Sequence, residues 1–369
     1  MNKKELYDEI AKQGKQMSPQ ERMKNYIQGK EVDCIPYGLL APDDALANIW
    51  GFTKSQADQS LSIRQEIIKR KKIKYGMEGI HCCIGLRGIG IATGSQAYYP
   101  QNATEYMINY FAQDYDVLDK LEEINIYKNE YLNKKLEDTK YLMKMFPDMN
   151  ISSDIAGPLT TVIAMRPIEQ VLRDMRKRPE KLKALIQYGV DCSIKWVEIF
   201  HRETGAVDFS ISDPVTTTDI IGEKDFLIFS KPYLQQMIER VTKITKIKPA
   251  VHICGHSKKI WTSLMEIGVD NYSLDNCESL EEAKRIMGEK VFLSGNVSPV
   301  DIMKNGSIDD VIQAVKKCIE EGSDNPSGFM LMTGGQIPMG TPEENIDAFC
   351  YAAQKYGRNA KWGRKIKIV

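Results

Sequence analysis

The sequence predicts an α/β protein: a single (β/α)₈ TIM barrel with a short helical extension at its N-terminus. Three observations lead there. From Ile35 onward, short apolar runs alternate with longer segments of helical period. Eight runs read as strands: "CIPYG", "GIHCCIG", "NISSDIAG", "VDFSISDP", "AVHICG", "NYSLD", "VFLSGN" and "FMLMTGG". Helix-start chemistry also recurs just after several of them. Strands alternating with helices argue for a parallel sheet, and eight strands favour closure over an open sheet.

In chain order, residues 1–30 open with the charged, amphipathic "MNKKELYDEIAKQGKQM" and form the helical extension, and residues 31–369 form the barrel. Four stretches carry the capping-box pattern, a hydroxyl followed three residues later by an acid: Ser18–Glu21, Ser279–Glu282, Ser298–Asp301 and Thr341–Glu344. Proline at the first helical position supports three of them. The segments "PIEQVLRDMRKRPEKLKALIQYG" and "SIDDVIQAVKKCIEEG" have helical period. The segment from Thr104 to Met149 is too long for one crossover and is expected to hold two helices. The basic "RNAKWGRKIKIV" reads as a solvated tail.

Composition narrows the function. Fifty basic residues balance fifty acidic ones, so no global charge favours nucleic acid or an anionic membrane. No apolar run is long enough for a bilayer, and the N-terminus lacks the apolar core of a secretory signal. The eight cysteines are scattered without the spacing of a disulfide framework, and they read as reduced thiols of a cytoplasmic protein. They are therefore available as ligands or nucleophiles.

The site follows from the fold. Chemistry in such barrels gathers at the C-terminal ends of the strands. There the fifth strand carries His252 and Cys254, two of the rarer residues in a chain with four histidines. Residues two apart on a strand share a face, and neutral imidazole with thiolate is a donor set that Zn²⁺ prefers. The sixth strand end adds Asp275, Cys277 and Glu278. Cys277 is either a further ligand or a small residue closing a turn. His256 reads as a loop residue. On the second strand His81 and Cys83 repeat the alternation, but the neighbouring Tyr37, Ser152, Ser153 and Asp154 offer no good third ligand, so a polar pocket wall is expected there. Arg87 presents a planar fork for a carboxylate or phosphate, or is simply solvated. Asp213 and Asn296 end the fourth and seventh strands, as pocket groups or as strand-end caps. There is no phosphate-binding GxxxxGK[ST] loop and no dinucleotide fingerprint.

From about Ser18 onward the chain resembles the uroporphyrinogen decarboxylase superfamily, and within it the zinc-dependent corrinoid methyltransferases. The resemblance rests on "VHICG", "YSLDNCESLEEAK", "VFLSGNVSPVDIMKNGS" and "TGGQIPMGTPEENIDAF", with "ISDPVTTTDIIGEKDF" and "FSKPYL" in support. It implies a (β/α)₈ barrel and a zinc held by His252 and Cys254. Two departures matter. The arginine-rich stretch that the decarboxylases carry after the first strand is replaced by "IPYGLLAPDD", which argues against a porphyrin substrate. The coenzyme M methyltransferases also take a ligand from a cysteine six residues before the "TP" of the last helix, where this chain has Gly335. Cys277 is the expected substitute. The reading places Asp213 and Asn296 in catalysis and Tyr37, Arg87 and Gln336 against substrate. The implied reaction moves a methyl group between a small methylated compound and a corrinoid. The chain lacks the DxHxxG stretch that ligates cobalt, so a separate corrinoid protein is the expected partner.

Overall fold

In the computed structural model, which describes residues 1–14 and 16–368, the chain packs as two compact units. One is the contiguous Gly79–Asp270, and the other joins Met1–Glu78 to Asn271–Val369. The strands in chain order are β1 (Val32–Cys34), β2 (Gly79–Cys83), β3 (Gln96–Tyr98), β4 (Tyr106–Asn109), β5 (Asn150–Ala156) and β6 (Asp208–Ser212). They continue as β7 (Ala250–His252), β8 (Asn271–Ser273), β9 (Phe292–Val297), β10 (Phe329–Thr333) and β11 (Arg358–Ala360).

In the contiguous unit β2, β5, β6 and β7 pair side by side, all parallel. Helices connect them, among them Glu130–Met145, Pro158–Met165, Pro179–Thr204 and Lys231–Thr245. One face of these strands is apolar: Ile80, Cys82, Ile155, Phe209, Ile211 and Val251 are buried. The fully buried Trp196 packs on Phe200, with ring centroids 5.0 Å apart, and Phe200 meets Phe209 edge-on. The Arg166 guanidinium is paired with Asp174 at 2.7 Å while both side chains are almost wholly out of water. It also donates to the carbonyls of Ala112 and Gln113.

In the discontinuous unit β8, β9 and β10 are parallel neighbours. The predicted first strand "CIPYG" runs alongside β10 through a parallel bridge from Tyr37 to Leu331, with Gly38 N donating to Leu331 O and Leu331 N to Pro36 O. Each unit therefore holds four parallel strand positions. Helices Lys3–Ala11 and Pro19–Ile27 occupy the first thirty residues. Tyr7 in the first of them donates to Asp347 at 2.7 Å. Among the described residues no helix is long and apolar enough to cross a membrane.

Several expectations are corrected. The long segment before β5 holds one α-helix, Glu130–Met145, preceded by a short 3-10 helix at Asp116–Lys120, and its first part is β4, paired antiparallel with β3. There the alternating Tyr106-Met107-Ile108-Asn109 pairs across a polar turn, and Tyr98 packs against Tyr106. The basic C-terminal stretch is no solvated tail. Its β11 pairs antiparallel with β1, and Trp362 packs against Tyr26 and Phe292 while donating to Pro326 O. The apolar residues among its charges are what seat it. Ser18, Ser279 and Ser298 cap as expected, each accepting from the backbone amide three residues on. Thr341 does not: its hydroxyl donates to Pro338 O and the last helix starts at Glu343. The segment after Pro167 breaks at Arg178, where Pro179 opens a second helix.

Candidate metal centre

Parallel register decides which side chains share a face. Across β2, β5 and β6, His81 aligns with Ser152 and Asp208, and Cys83 with Asp154 and Ser210. Further along, Ala156 aligns with Ser212, and Ser212 with His252. Registered partners point the same way. The face opposite the apolar layer therefore carries imidazole, thiol, hydroxyl and carboxylate groups in successive rows, the composition of a binding surface.

His252 ends β7 with 6% of its surface exposed, and its Nε2 lies 3.1 Å from the Sγ of half-buried Cys254. An imidazole nitrogen and a sulfur so close, with their lone pairs converging, fit a borderline-soft divalent ion. The chain turns away at Gly255, where φ is +72°. A Cβ there would sit 2.6 Å from Thr217 Oγ1 and 2.7 Å from Asp219 Oδ2, so only glycine lets the loops after β6 and β7 close together. The next residue, His256, is exposed, and Asp219 accepts from both its backbone N and its Nδ1. Those hydrogen bonds hold the Asp219 carboxyl below its ordinary value. His256 is thus a loop clasp, as its position in the sequence suggests.

Asp213 is completely buried. Its Oδ1 accepts from Thr160 N at 2.9 Å and Thr160 Oγ1 at 2.6 Å, and its Oδ2 accepts from the Thr216 hydroxyl. Burial raises its carboxyl above the ordinary range, against the pull of these donors. Both oxygens are engaged, Oδ1 by the first turn of helix Pro158–Met165 and Oδ2 by the Thr216 hydroxyl, and Asp213 N donates to His252 O. This revises the expectation of a substrate-facing group at the mouth: Asp213 positions the strand end that carries His252. The fit is close, because a Cβ on Gly157 would fall 2.3 Å from Asp213 Cβ.

In the other unit, Asn296 donates to the carbonyls of Asp275 and Glu278 and so holds the loop after β8. Cys277 is exposed in that loop, and its N donates to Asp275 Oδ1 in a tight turn. Gly335 follows β10 with room beside it, since a Cβ would meet only Pro299 Cγ at 3.4 Å. Gln336 is exposed and donates to Asp44. Arg87 reaches Glu105 at 3.5 Å and keeps 30% of its side chain exposed. Tyr37 is corrected as a substrate contact: its hydroxyl accepts from Gln354 and its ring packs against Phe349 beneath Arg22, on the helix side of the strand.

The second strand holds what sequence reasoning missed. His81, Cys83 and Asp154 bring their ligand atoms within 4.8 Å of one another. The sequence places Asp154 on the neighbouring strand without a register that would make it a good third ligand, yet Asp154 and Cys83 are register partners. Aligning "GIHCC" with "NISSD" from their starts was the signal available. Desolvation by the surrounding strand face, then the Asp154 charge, pushes the thiol of surface-reaching Cys83 well up, while His81 and Cys83 keep the half-buried Asp154 carboxyl low.

Comparison with known proteins agrees with this architecture. A methyltransferase structure from Methanosarcina mazei superposes with a TM-score of 0.78 at 20% identity, covering 92% of this chain and 99% of that one. The methylcobamide:CoM methyltransferase MtbA of Methanosarcina mazei is 20% identical over 349 residues, 92% of this chain and 98% of its own. MtaA of Methanosarcina barkeri, also named a methylcobamide:CoM methyltransferase, is 26% identical over 214 residues, which span 58% of this chain and 60% of the relative. Residues 18–356 match the family model for uroporphyrinogen decarboxylase (URO-D), and the chain belongs to that family.

Proposed function

We propose that this protein is a zinc-dependent, corrinoid-linked methyltransferase. In this reading it moves a methyl group between a small methylated substrate, such as a methoxylated compound, and the corrinoid of a separate protein. The observation that carries it is the His252–Cys254 pair at the end of β7, with Nε2 and Sγ 3.1 Å apart, in a URO-D family chain similar to methylcobamide:CoM methyltransferases. Four parallel strand positions in each unit support the eight-stranded barrel, here read as one domain over residues 31–369 after an N-terminal extension.

His252 and Cys254 hold the metal, with Cys277 from the loop after β8 as the third protein ligand in place of the residue missing at Gly335. When bound, zinc supplies Lewis acidity to the heteroatom from which the methyl group departs. The chain's own residues do the rest. Asp213 fixes the β7 end through its backbone amide, and Asn296 fixes the loop bearing Cys277. Arg87 and Gln336 line the substrate side. A site with fewer thiolates carries more net positive charge and suits an oxygen leaving group, which favours the donor-side reaction over transfer to a thiol. The protein works in the cytoplasm beside its corrinoid partner. The replacement of the arginine-rich stretch by residues 35–44 argues against porphyrin decarboxylation.

The test is direct. Zinc-loaded protein is mixed with a reduced corrinoid protein and a panel of methoxylated donors, and the absorbance change from Co(I) to methyl-Co(III) is followed. Turnover that disappears in His252→Ala supports the proposal. A purified protein with no zinc after metal-replete growth, and no corrinoid methylation from any donor, would overturn the proposal in favour of a metal-free decarboxylase or lyase on the same barrel.

A further inference from the structure

We propose that His81, Cys83 and Asp154 form a second site for a borderline-soft divalent cation, separate from the His252 centre and not dependent on it. The three donors come from adjacent parallel strands in register, so the backbone holds them and no loop has to order. His81 Nε2 lies 3.5 Å from Asp154 Oδ1, and Cys83 Sγ lies 3.6 Å from Asp154 Oδ2. Tetrahedral zinc with nitrogen, oxygen and sulfur ligands sets its donors roughly 3.3–3.6 Å apart. Two of the three pairs already have that spacing, and all three donors lie within 4.8 Å of one another.

Two further observations point to a ligand. Asp154 Oδ1 is shut off from solvent and has no well-formed hydrogen bond, its nearest candidate donor being His81 Nε2 at 3.5 Å. A buried carboxylate oxygen so poorly satisfied is costly, and a cation removes the cost. His81 is also oriented for the task. Its Nδ1 lies 3.0 Å from Ser152 Oγ. With Nδ1–H donated to that hydroxyl, Nε2 keeps its lone pair facing Asp154, the arrangement that fixes a ligating imidazole. Binding exchanges the Cys83 thiol proton for the metal, and the proton leaves to solvent.

The ligand class follows from the donors. Thiolate with imidazole selects zinc-like ions over magnesium or calcium, which take oxygen ligands. The His81 side chain is 40% exposed, so a coordination position stays open to water or to a small molecule's heteroatom, on the same face of the strands as His252. β2 and β7 are three strand spacings apart, about 14 Å along the sheet. That exceeds the roughly 4 Å of a bridged two-metal centre, so the two ions act separately.

The experiment uses the full chain carrying His252→Ala and Cys254→Ala, which removes the first centre. Co²⁺ is titrated and the thiolate-to-cobalt charge-transfer band is read alongside metal analysis. The expected result is one ion per chain with that band. Adding Cys83→Ala abolishes the band and weakens binding at least 100-fold, and adding Asp154→Asn weakens it at least tenfold, with unchanged circular dichroism in both. Absence of the band and of stoichiometric metal in the His252→Ala, Cys254→Ala background would overturn the proposal. So would a band that survives Cys83→Ala. Neither outcome bears on corrinoid methylation by the wild type, so the two proposals fail independently.

Discussion

Replacing Asp213 with alanine removes an acceptor on which Thr160 N, Thr160 Oγ1 and Thr216 Oγ1 converge. Two of these donors are hydroxyls, which can rotate; Thr216 Oγ1 already lies 3.2 Å from Ser230 Oγ. The Thr160 amide cannot, and leaving it buried and unpaired costs roughly 1–3 kcal/mol. Losing a negative charge at the first turn of helix Pro158–Met165 adds about 0.3–1 kcal/mol. Release of a carboxylate that burial disfavours offsets part of this, so the expected net loss is about 1–3 kcal/mol. Asp213→Asn keeps an acceptor for Thr160 N and should lose about 1 kcal/mol or less. The pH dependence separates charge from shape. Because the folded carboxyl is raised, its contribution is fully present below the ordinary carboxyl range and is lost as pH rises through the folded value. The stability advantage of wild type over Asp213→Asn should therefore shrink with rising pH across that window. Urea titrations followed by tryptophan fluorescence over an acid-to-neutral series would measure both effects. An Asp213→Ala loss under about 0.5 kcal/mol, the scatter of neutral surface changes, would refute the capping role. So would an advantage that grows with pH.

The remaining predictions concern the metal and the core. His252→Ala and Cys254→Ala should each lose one zinc per chain and all methyl transfer while melting close to wild type; full metal occupancy and turnover in either would move the first centre elsewhere. Cys277→Ser should weaken zinc binding by orders of magnitude in a chromophoric-chelator competition, because an alcohol replaces thiolate poorly. Gly335→Cys in that background should recover part of the affinity, there being room for its Cβ. Unchanged affinity in Cys277→Ser would remove that ligand, and Asp275→Ala would then be the variant to measure. Gly157→Ala forces a Cβ to 2.3 Å from Asp213 Cβ and should destabilise by about 1–3 kcal/mol or fail to fold; a wild-type denaturation midpoint would contradict the close approach. Asp174→Ala strands the buried Arg166 guanidinium and should cost about 3–5 kcal/mol, read by the same titration.

The strands were legible because each is a short apolar run bounded by Gly, Asp or Asn, and such runs can be read locally. The His252–Cys254 pair was legible for the same reason: a two-residue spacing on one strand fixes both side chains. What depended on pairing was not. Asp154 joins Cys83 only once β2 and β5 are in register, and no local pattern states that register. Tyr37 sits on a correctly located segment, but its direction is set by Gln354 and Phe349 far along the chain. Asp213 looked like a mouth residue because its sequence position says nothing of Thr160, whose amide claims it. The hairpin of β3 and β4 was missed because Tyr, Met and Ile suit helix and strand alike over four residues.

The ribbon of β1 and β11 ties Val32 to Ala360, residues far apart in the order of synthesis. A ribosome delivers the contiguous Gly79–Asp270 unit whole while the other unit has only its first part. That leading part, with buried positions such as Ile35 and Leu46, waits exposed until β8, β9 and β10 emerge. Its partner β11 is made later still, after β10. During translation the nascent chain therefore carries an orphaned apolar segment while residues 79–270 are made, an interval in which chaperone capture or misassembly acts.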